Sequence, residues 1–188
     1  MSESSQGLYS RCLNAEDAQE FRAIRLEAIT KTNVFVSLFP SVPNISPKQV
    51  EAEQPLSAWE ELLVPHEHSS FFGVFDGDRL VAISAAHTAQ EDTSGKSVGF
   101  GSAYVLDDYR RQGVVTLLFE AMTAWAAERK FERIICQCRK DNEPIKRFLR
   151  KSEFVQTGIE IGRMCSGEIV EGFRMERPVT KSASTCRL

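Results

Sequence analysis

Residues 103–122 read AYVLDDYRRQGVVTLLFEAM. An apolar strand ends in this stretch at Leu106, and an apolar stripe with helical spacing begins at Val114. Between them, two aspartates turn the chain and Arg110-Arg111-Gln112-Gly113 leads directly into the helix. This order of strand, turn, basic loop and helix indicates an α/β fold with a binding site at the start of the helix.

The chemistry of this loop is that of an anion site. Free backbone N–H groups and the helix dipole favour negative charge at a helix N-terminus. Gly113 allows the backbone to approach a ligand, and Arg110 and Arg111 add positive charge. A pyrophosphate fits this pattern; arginines that lie in solvent are the alternative. No Gly-Lys-Ser/Thr and no three-glycine fingerprint follows, which excludes a P-loop and a dinucleotide-binding turn.

Composition limits the remaining classes of protein. A chain of 188 residues with 42% hydrophobic and 26% charged residues fits one globular domain. We predict that domain over residues 8–178, after a flexible segment at 1–7 and before a disordered tail at 179–188. The net charge of −3 provides no global basic field for nucleic acid or an anionic membrane, so an anion needs a local positive site.

The cysteines and histidines predict neither disulfides nor a metal site. The cysteines have no zinc spacing and no disulfide framework, and they are Cys12, Cys136, Cys138, Cys165 and Cys186. His66 and His68 flank Glu67 without further ligands, and Cys136 and Cys138 are interpreted as core residues. The start, MSESSQG, has no apolar signal segment, and Glu120 interrupts the best apolar run. We therefore expect a cytoplasmic protein without a membrane span.

The rest of the chain alternates strands and helices. Asn14 is expected to cap a helix that ends near Thr30, and four prolines exclude long helices from residues 31–56. Asp76-Gly77-Asp78 predicts a tight hairpin. The expected strands are 8–13, two around that hairpin from Phe71 onward, 97–106, 133–138, 155–164 and 169–177, and further helices are expected at 57–63, 114–130 and from Pro144 to 152.

Two motifs resemble those of the GNAT (N-acetyltransferase) superfamily. Residues 110–115 are similar to its motif A, Arg/Gln-x-x-Gly-x-Gly/Ala, and Val105 and Tyr109 match the lead-in to that motif. KDNEPIKRFLRKSEF, residues 140–154, resembles motif B, in which Asn142 opens a helix. With the order of strands and helices, the resemblance covers roughly residues 8–178.

The resemblance implies a fold and a set of binding residues. The fold is α/β (α+β): a mixed, mostly antiparallel central sheet flanked by helices and split between its fourth and fifth strands. CoA would lie in the split, with its pantetheine arm on the fourth strand and its pyrophosphate on the backbone amides at the start of the helix. The implied CoA-binding residues are Ala103, Tyr104, Val105, Arg110, Arg111, Gln112, Gly113, Val114, Val115, Thr116 and Asn142.

The implied activity is direct transfer of an acetyl group from acetyl-CoA, as co-substrate, to an amine of a small molecule or a protein. The alternative is a GNAT-fold module that binds CoA or a partner without transfer. The identity of the acceptor, the size of the acyl group and a homodimeric state stay open. No metal, nucleic acid or membrane partner is expected.

Four positions depart from the family pattern. Val115 replaces Gly or Ala and is expected to crowd the phosphates, and Glu153 replaces a glycine, so the tight turn that ends motif B is expected to be lost. Leu149 stands where many members have a tyrosine that protonates the CoA thiolate, and Gly99 stands where some have a glutamate base. Leu149 and Gly99, together with Val115, support the non-catalytic alternative.

Two side chains are candidates for the missing proton transfers. If the strands pair around the QEDTSGK turn, His87 lies opposite Val98 or Gly99 and could act as the base; a strand-end histidine without a role is the alternative. Tyr104 could supply the thiolate proton if it points into the cleft, and otherwise it is a plain sheet residue. Phe35 and Phe39, within the acceptor-side segment 31–70, line a pocket or pack in the core.

Overall fold

The computed structural model describes residues 7–32, 38–40, 43, 45–89, 92–163 and 169–179. Its strands are β1 (Tyr9–Cys12), β2 (Ser69–Asp76), β3 (Arg79–Thr88), β4 (Ser97–Val105), β5 (Arg133–Arg139), β6 (Val155–Arg163) and β7 (Ile169–Pro178). Its α-helices are α1 (Ala18–Thr32), α2 (Pro47–Ala52), α3 (Leu56–Leu62), α4 (Val114–Glu128) and α5 (Glu143–Lys151). Apart from Gly7 and Val179, the predicted flexible N-terminus and tail lie outside the described residues.

The strands form one seven-stranded sheet in the order β1-β2-β3-β4-β5-β7-β6. Every neighbouring pair is antiparallel except β4 and β5, which are parallel. The β4–β5 ladder runs only from Ser97–Arg133 to Phe100–Cys136, although β5 stays paired with β7 as far as Arg139. The strands therefore part beyond Phe100, which confirms the predicted mixed sheet with a split between its fourth and fifth strands.

Each face of the sheet carries its own apolar core. Val98 and Phe100 of β4 point to the core under α4 and α5, with Leu118, Met122 and Trp125 of α4. The opposite face packs against α1 and α3, and this second core contains Phe21, Ile24, Trp59, Ile83 and Tyr104. Successive side chains of a strand point to opposite faces, so regular alternation would put Tyr104 on the same face as Val98 and Phe100. A register shift in the β3–β4 ladder between these residues adds one residue to β4, and Tyr104 therefore lies on the opposite face.

Asn14 caps the N-terminal helical stretch as predicted, and the proline-rich segment contains one short helix that was not predicted. Asn14 accepts a hydrogen bond from the Glu16 amide at 2.9 Å, and the helical stretch that follows ends at Thr32, two residues beyond the prediction. In the proline-rich segment, α2 is a six-residue helix with Ser46 as its N-cap and Pro47 in its first turn. Proline there costs no helical hydrogen bond, so the segment holds a short helix but no long one.

A buried ion pair joins α1 to α2. Arg25 and Glu51 each have 0% side-chain exposure, and two hydrogen bonds of 3.0 Å connect the guanidinium to the carboxylate. The Leu38 backbone N–H donates to Glu51 Oε1 at 2.8 Å. The pair therefore fixes α2 and the chain at Leu38 over the α1 side of the sheet.

Candidate functional site

A β-bulge lies in β4 where the sheet splits. Ile83 pairs with Tyr104 and Ala85 with Gly101, so Ser84 of β3 faces two residues of β4, Ser102 and Ala103. Ser102 has a φ of 55°, a left-handed conformation that is uncommon for a residue with a side chain. The bulge follows Phe100 directly, so the backbone of residues 101–103 has β3 on one side and no ladder with β5 on the other.

The loop before α4 leaves its backbone amides available. Among the described residues, no protein oxygen accepts from the N–H groups of residues 111–115, whereas the Thr116 amide donates to the Gly113 carbonyl at 2.9 Å. Gly113, the N-cap of α4, has a φ of 79°, and a Cβ there would meet no atom within 4 Å. Free amides and a helix dipole at one place favour negative charge, and binding of an anion here stays a prediction.

The basic side chains of the loop differ in their anchoring. Arg110 donates from Nε to the Val105 carbonyl at 3.2 Å and pairs with Asp107 at 2.8 Å, which fixes it against the end of β4. Arg111 has a φ of 64°, is exposed and has no ion-pair partner in the part of the chain that the structure describes. The side chain of Gln112 donates to the Asp108 carbonyl at 2.7 Å and so braces the loop.

The first turn of α4 accommodates the valine that departs from motif A. Val114 is buried, Thr116 is exposed, and Val115 is half-buried and packs against the core under α4. The contact of Val115 with the core limits how far its bulk crowds the approach to the amides of the loop. The departure therefore leaves the backbone donors in place.

Tyr104 ties β4 to α1. Its side chain is buried against α1, and its hydroxyl donates to Glu27 Oε1 at 2.8 Å. The Lys31 ammonium donates to the same Glu27 oxygen at 2.9 Å and to Asp107 Oδ2 at 2.8 Å. Burial and, second, the Glu27 carboxylate raise the pKa of Tyr104, so the phenol keeps its proton at neutral pH. That proton is directed at Glu27, and its transfer to a thiolate stays a prediction. On the same strand Ala103 is exposed and Val105 is buried.

His87 lies directly opposite Gly99, one of the two positions that the sequence predicts. A Cβ on Gly99 would come within 2.8 Å of His87 Nε2 and 3.0 Å of its Cε1. The exposed imidazole therefore occupies the space where a side chain of residue 99 would begin. This geometry is compatible with His87 in place of the glutamate base that some members of the GNAT superfamily use; its role in catalysis stays a prediction.

Motif B keeps its shape despite its departures. Asn142 is exposed and caps α5, with Oδ1 accepting from the Ile145 amide at 3.4 Å. Glu153 has a φ of 64° and takes the left-handed conformation that glycine would otherwise supply, so the predicted loss of the tight turn is wrong. Leu149 is 1% exposed and packs in the core under α4. Its aliphatic side chain has no proton to transfer.

The remaining predicted residues lie apart from this site. Cys136 and Cys138 are buried in the core, as expected, and burial raises the pKa of the Cys136 thiol. Phe39 lies 4.9 Å from the ring of buried Trp59, whereas Phe35 lies outside the described residues. Within the described ranges no group of three or more His, Cys, Asp or Glu residues could hold a metal ion, and no helix is long and apolar enough to cross a membrane.

Sequence reasoning missed two features of the site, the bulge at Ser102 and the chain of contacts from Tyr104 through Glu27 and Lys31 to Asp107. The two glycines within β4, Gly99 and Gly101, were a signal for the bulge, because glycine inside a strand often marks one. The contact chain joins residues 77 and 76 positions apart, and no local pattern announces it.

Comparison with known proteins agrees with this geometry. The family model described as acetyltransferase (GNAT) family matches residues 35–154. A search of curated protein sequences finds no match to this chain. Among solved structures, a probable acetyltransferase from Staphylococcus epidermidis ATCC 12228 is similar with a TM-score of 0.72 at 15% identity, over 93% of this chain and 100% of that one.

Two further solved structures share the fold. An N-acetyltransferase from Staphylococcus aureus Mu50 has a TM-score of 0.71 at 17% identity, over 93% of this chain and 100% of that chain. The putative acetyltransferase yncA from Salmonella typhimurium, solved with its cofactor acetyl-CoA, has a TM-score of 0.65 at 12% identity, over 94% and 96%. With the family model matched over most of its length, the chain belongs to the GNAT acetyltransferase family.

Proposed function

We propose that this chain is an N-acetyltransferase that uses acetyl-CoA as co-substrate and transfers the acetyl group directly to an amine. The observation that carries the proposal is the unpaired edge of β4 at residues 101–103, which leads through Arg110 to the free amides of residues 111–115. One continuous segment thus offers donors for a thioester arm and for the phosphates attached to it. The family membership supports the same reading.

Each predicted binding residue has a part in this proposal. The amides of residues 111–115 and the Arg111 guanidinium would hold the pyrophosphate, with Arg110 setting the loop. The backbone at Ala103, Tyr104 and Val105 would pair with the pantetheine arm, and Asn142 would border the cleft from the start of α5. The amide of Thr116 already donates to the Gly113 carbonyl, so it would contribute least to binding of the pyrophosphate.

The chain also offers the groups that the chemistry needs. His87 would accept a proton from the ammonium form of the amine, and the neutral nitrogen then attacks the thioester carbonyl carbon. A backbone N–H at the bulge would stabilise the negative charge that develops on the carbonyl oxygen. The carbon–sulfur bond breaks and the nitrogen loses a second proton. The thiolate takes a proton from Tyr104 or from water, the proton from the nitrogen replaces it there, and the products are an N-acetylated amine and CoA thiol.

The acceptor is an amine of a small molecule or of a protein, and we place its entry on the side of the sheet that α1, α2 and Leu38 cover. The contact of Phe39 with Trp59 supports a core role for that ring. We also expect a cytoplasmic location, and a homodimer is compatible with this function.

The second candidate function is a GNAT-fold module that binds CoA or a partner without transfer. Leu149 in place of the family tyrosine and Gly99 in place of the family glutamate favour it. Transfer with water as the proton carrier remains compatible with both residues. The two functions differ in one observable, the release of CoA thiol.

A thiol-release assay separates them. The purified protein is incubated with acetyl-CoA and a panel of amines that includes amino acids, polyamines, aminoglycosides and peptides. Released thiol is measured, and the acetylated products are identified and quantified by mass spectrometry. Thiol release that depends on one amine and equals the acetylated product in amount supports the enzyme. Binding of CoA in calorimetry, with no amine-dependent release across the panel, supports the module and overturns the enzyme.

A further inference from the structure

Ser84 of β3 makes a buried contact with the bulge in β4. Its side chain is 2% exposed, and its hydroxyl donates to the Gly101 carbonyl at 2.9 Å. We infer that Ser84 is a positioning residue for acetyl transfer, because its hydrogen bond aims the backbone N–H of Ser102 into the split between β4 and β5. This inference rests on the proposed function and assigns a role to a side chain outside both family motifs.

The direction of the Ser102 N–H follows from the geometry of one peptide unit. The Gly101 carbonyl and the Ser102 N–H belong to the same planar, trans peptide, so they point in opposite directions. Ser84 lies on β3, and its bond turns the carbonyl toward that strand. The N–H of Ser102 therefore points away from β3, the side on which β5 has parted after Phe100.

The bulge lies directly beside this bond. The extra residue interrupts the regular β3–β4 ladder between Ala85–Gly101 and Ile83–Tyr104. The Ser84 hydroxyl adds a side-chain donor to the Gly101 carbonyl at this interruption. Gly101 has no Cβ to restrict the rotation of the peptide that follows it, and Ser102 is already in a left-handed conformation with a φ of 55°. Loss of the hydroxyl should therefore give this peptide more freedom to tilt.

The consequence concerns the charge that develops during transfer. Removal of one backbone or side-chain donor from such an oxyanion site lowers kcat by about 10²–10³-fold in other enzymes. An N–H that is still present but no longer aimed should cost less, on the order of tenfold or more. Binding of acetyl-CoA depends mainly on the loop before α4, so its affinity should change little.

Three variants test this role. Ser84→Ala removes the donor, Ser84→Thr keeps the hydroxyl, and Ser70→Ala is the matched control because Ser70 is also a buried serine, 4% exposed, on neighbouring β2. We expect Ser84→Ala to lower kcat about tenfold or more while the KM for acetyl-CoA stays within about twofold. We expect Ser84→Thr to restore most of kcat and Ser70→Ala to leave it unchanged.

A readout without turnover accompanies the kinetics. Acetyl-CoA is added, without amine, to ¹⁵N-labelled protein, and the Ser102 amide resonance should shift in the wild type and in Ser84→Thr but not in Ser84→Ala. Equal kcat values for Ser84→Ala and Ser70→Ala, or an equal Ser102 shift in wild type and Ser84→Ala, would overturn the inference. If the wild type releases no thiol with any amine, the proposed function is contradicted instead. The Ser102 resonance shift then tests the role of Ser84 independently of catalysis.

Discussion

The imidazole of His87 stands over Gly99, close enough that a Cβ on Gly99 would lie 2.8 Å from Nε2. The two residues are direct partners in the β3–β4 ladder, one strand residue before the split opens at Phe100. A residue without a side chain thus makes room for a titratable ring where some family members place a glutamate. This complementarity is the structural basis for proposing His87 as the general base.

Replacing His87 by glutamine should lower kcat by about 10²-fold or more, because a positioned general base contributes that much in other enzymes. The affinity for acetyl-CoA should stay within about twofold, since the anion loop is untouched. Steady-state kinetics with both substrates varied measure the two effects separately. His68→Gln, just before β2, is the control. Equal kcat in the two variants would show that His87 has no catalytic role.

Removing the Tyr104 hydroxyl tests the proposed thiolate proton donor. Tyr104→Phe should lower kcat about tenfold or more, because it removes the proposed proton source for the thiolate, a phenol whose raised pKa keeps it protonated at neutral pH. Glu27→Ala removes the acceptor of that hydroxyl but keeps the phenol, and should leave kcat nearly unchanged. If both variants lose only thermal stability and keep kcat, the hydroxyl serves as a link between β4 and α1.

Breaking the ion pair between Arg25 and Glu51 should destabilise the fold strongly. Glu51→Gln leaves the 0%-exposed Arg25 guanidinium without its charged partner, which costs about 3–5 kcal/mol of unfolding free energy. Urea denaturation measures this loss. The control is Glu53→Gln, an exposed glutamate next to α2, which should change stability by less than about 0.5 kcal/mol. Similar unfolding midpoints for the two variants would contradict the assigned role of the pair.

Glycine at position 153 should stabilise the protein. Glu153 holds a φ of 64°, which costs an L-residue about 1–2 kcal/mol, and glycine adopts it freely but loses more entropy on folding. The expected net gain for Glu153→Gly is about 0.5–1 kcal/mol. Glu120→Gly, on the exposed face of α4, should lose about 1 kcal/mol. A lower melting temperature for Glu153→Gly would show that the Glu153 side chain contributes contacts that outweigh its backbone cost.

Much of the fold was predictable from local patterns. The Asp76-Gly77-Asp78 turn fixed the β2–β3 hairpin, and the polar turn before Ser97 placed His87 opposite Val98 or Gly99, of which the structure selects Gly99. Such signals suffice where neighbours in sequence are neighbours in the sheet. The split between β4 and β5 came from the family resemblance, since the parallel ladder joins strands that a helix separates.

The missed features depend on contacts between distant residues. Ser84 reaches Gly101 across 17 positions and Arg25 reaches Glu51 across 26, and neither pair has a local periodicity that announces it. Glu153 takes a conformation that its residue type disfavours, while nearby Arg177 donates to the Ser152 carbonyl at 3.3 Å and lies over the Phe154 ring. Tertiary contacts of this kind override the preference of a single residue, so residue type alone misjudged that turn.

The central claim, that acetyl-CoA binds at the start of α4, is tested most directly by calorimetry on two matched glycine variants. Gly113 and Gly77 both have positive φ, 79° and 57°, and at neither would a Cβ meet an atom within 4 Å. Valine should therefore strain the backbone similarly at both, but only at 113 does it obstruct the anion site. We predict that Gly113→Val weakens acetyl-CoA binding more than about tenfold and that Gly77→Val keeps it within about twofold. Equal affinities in the two folded variants would contradict the assignment of the site.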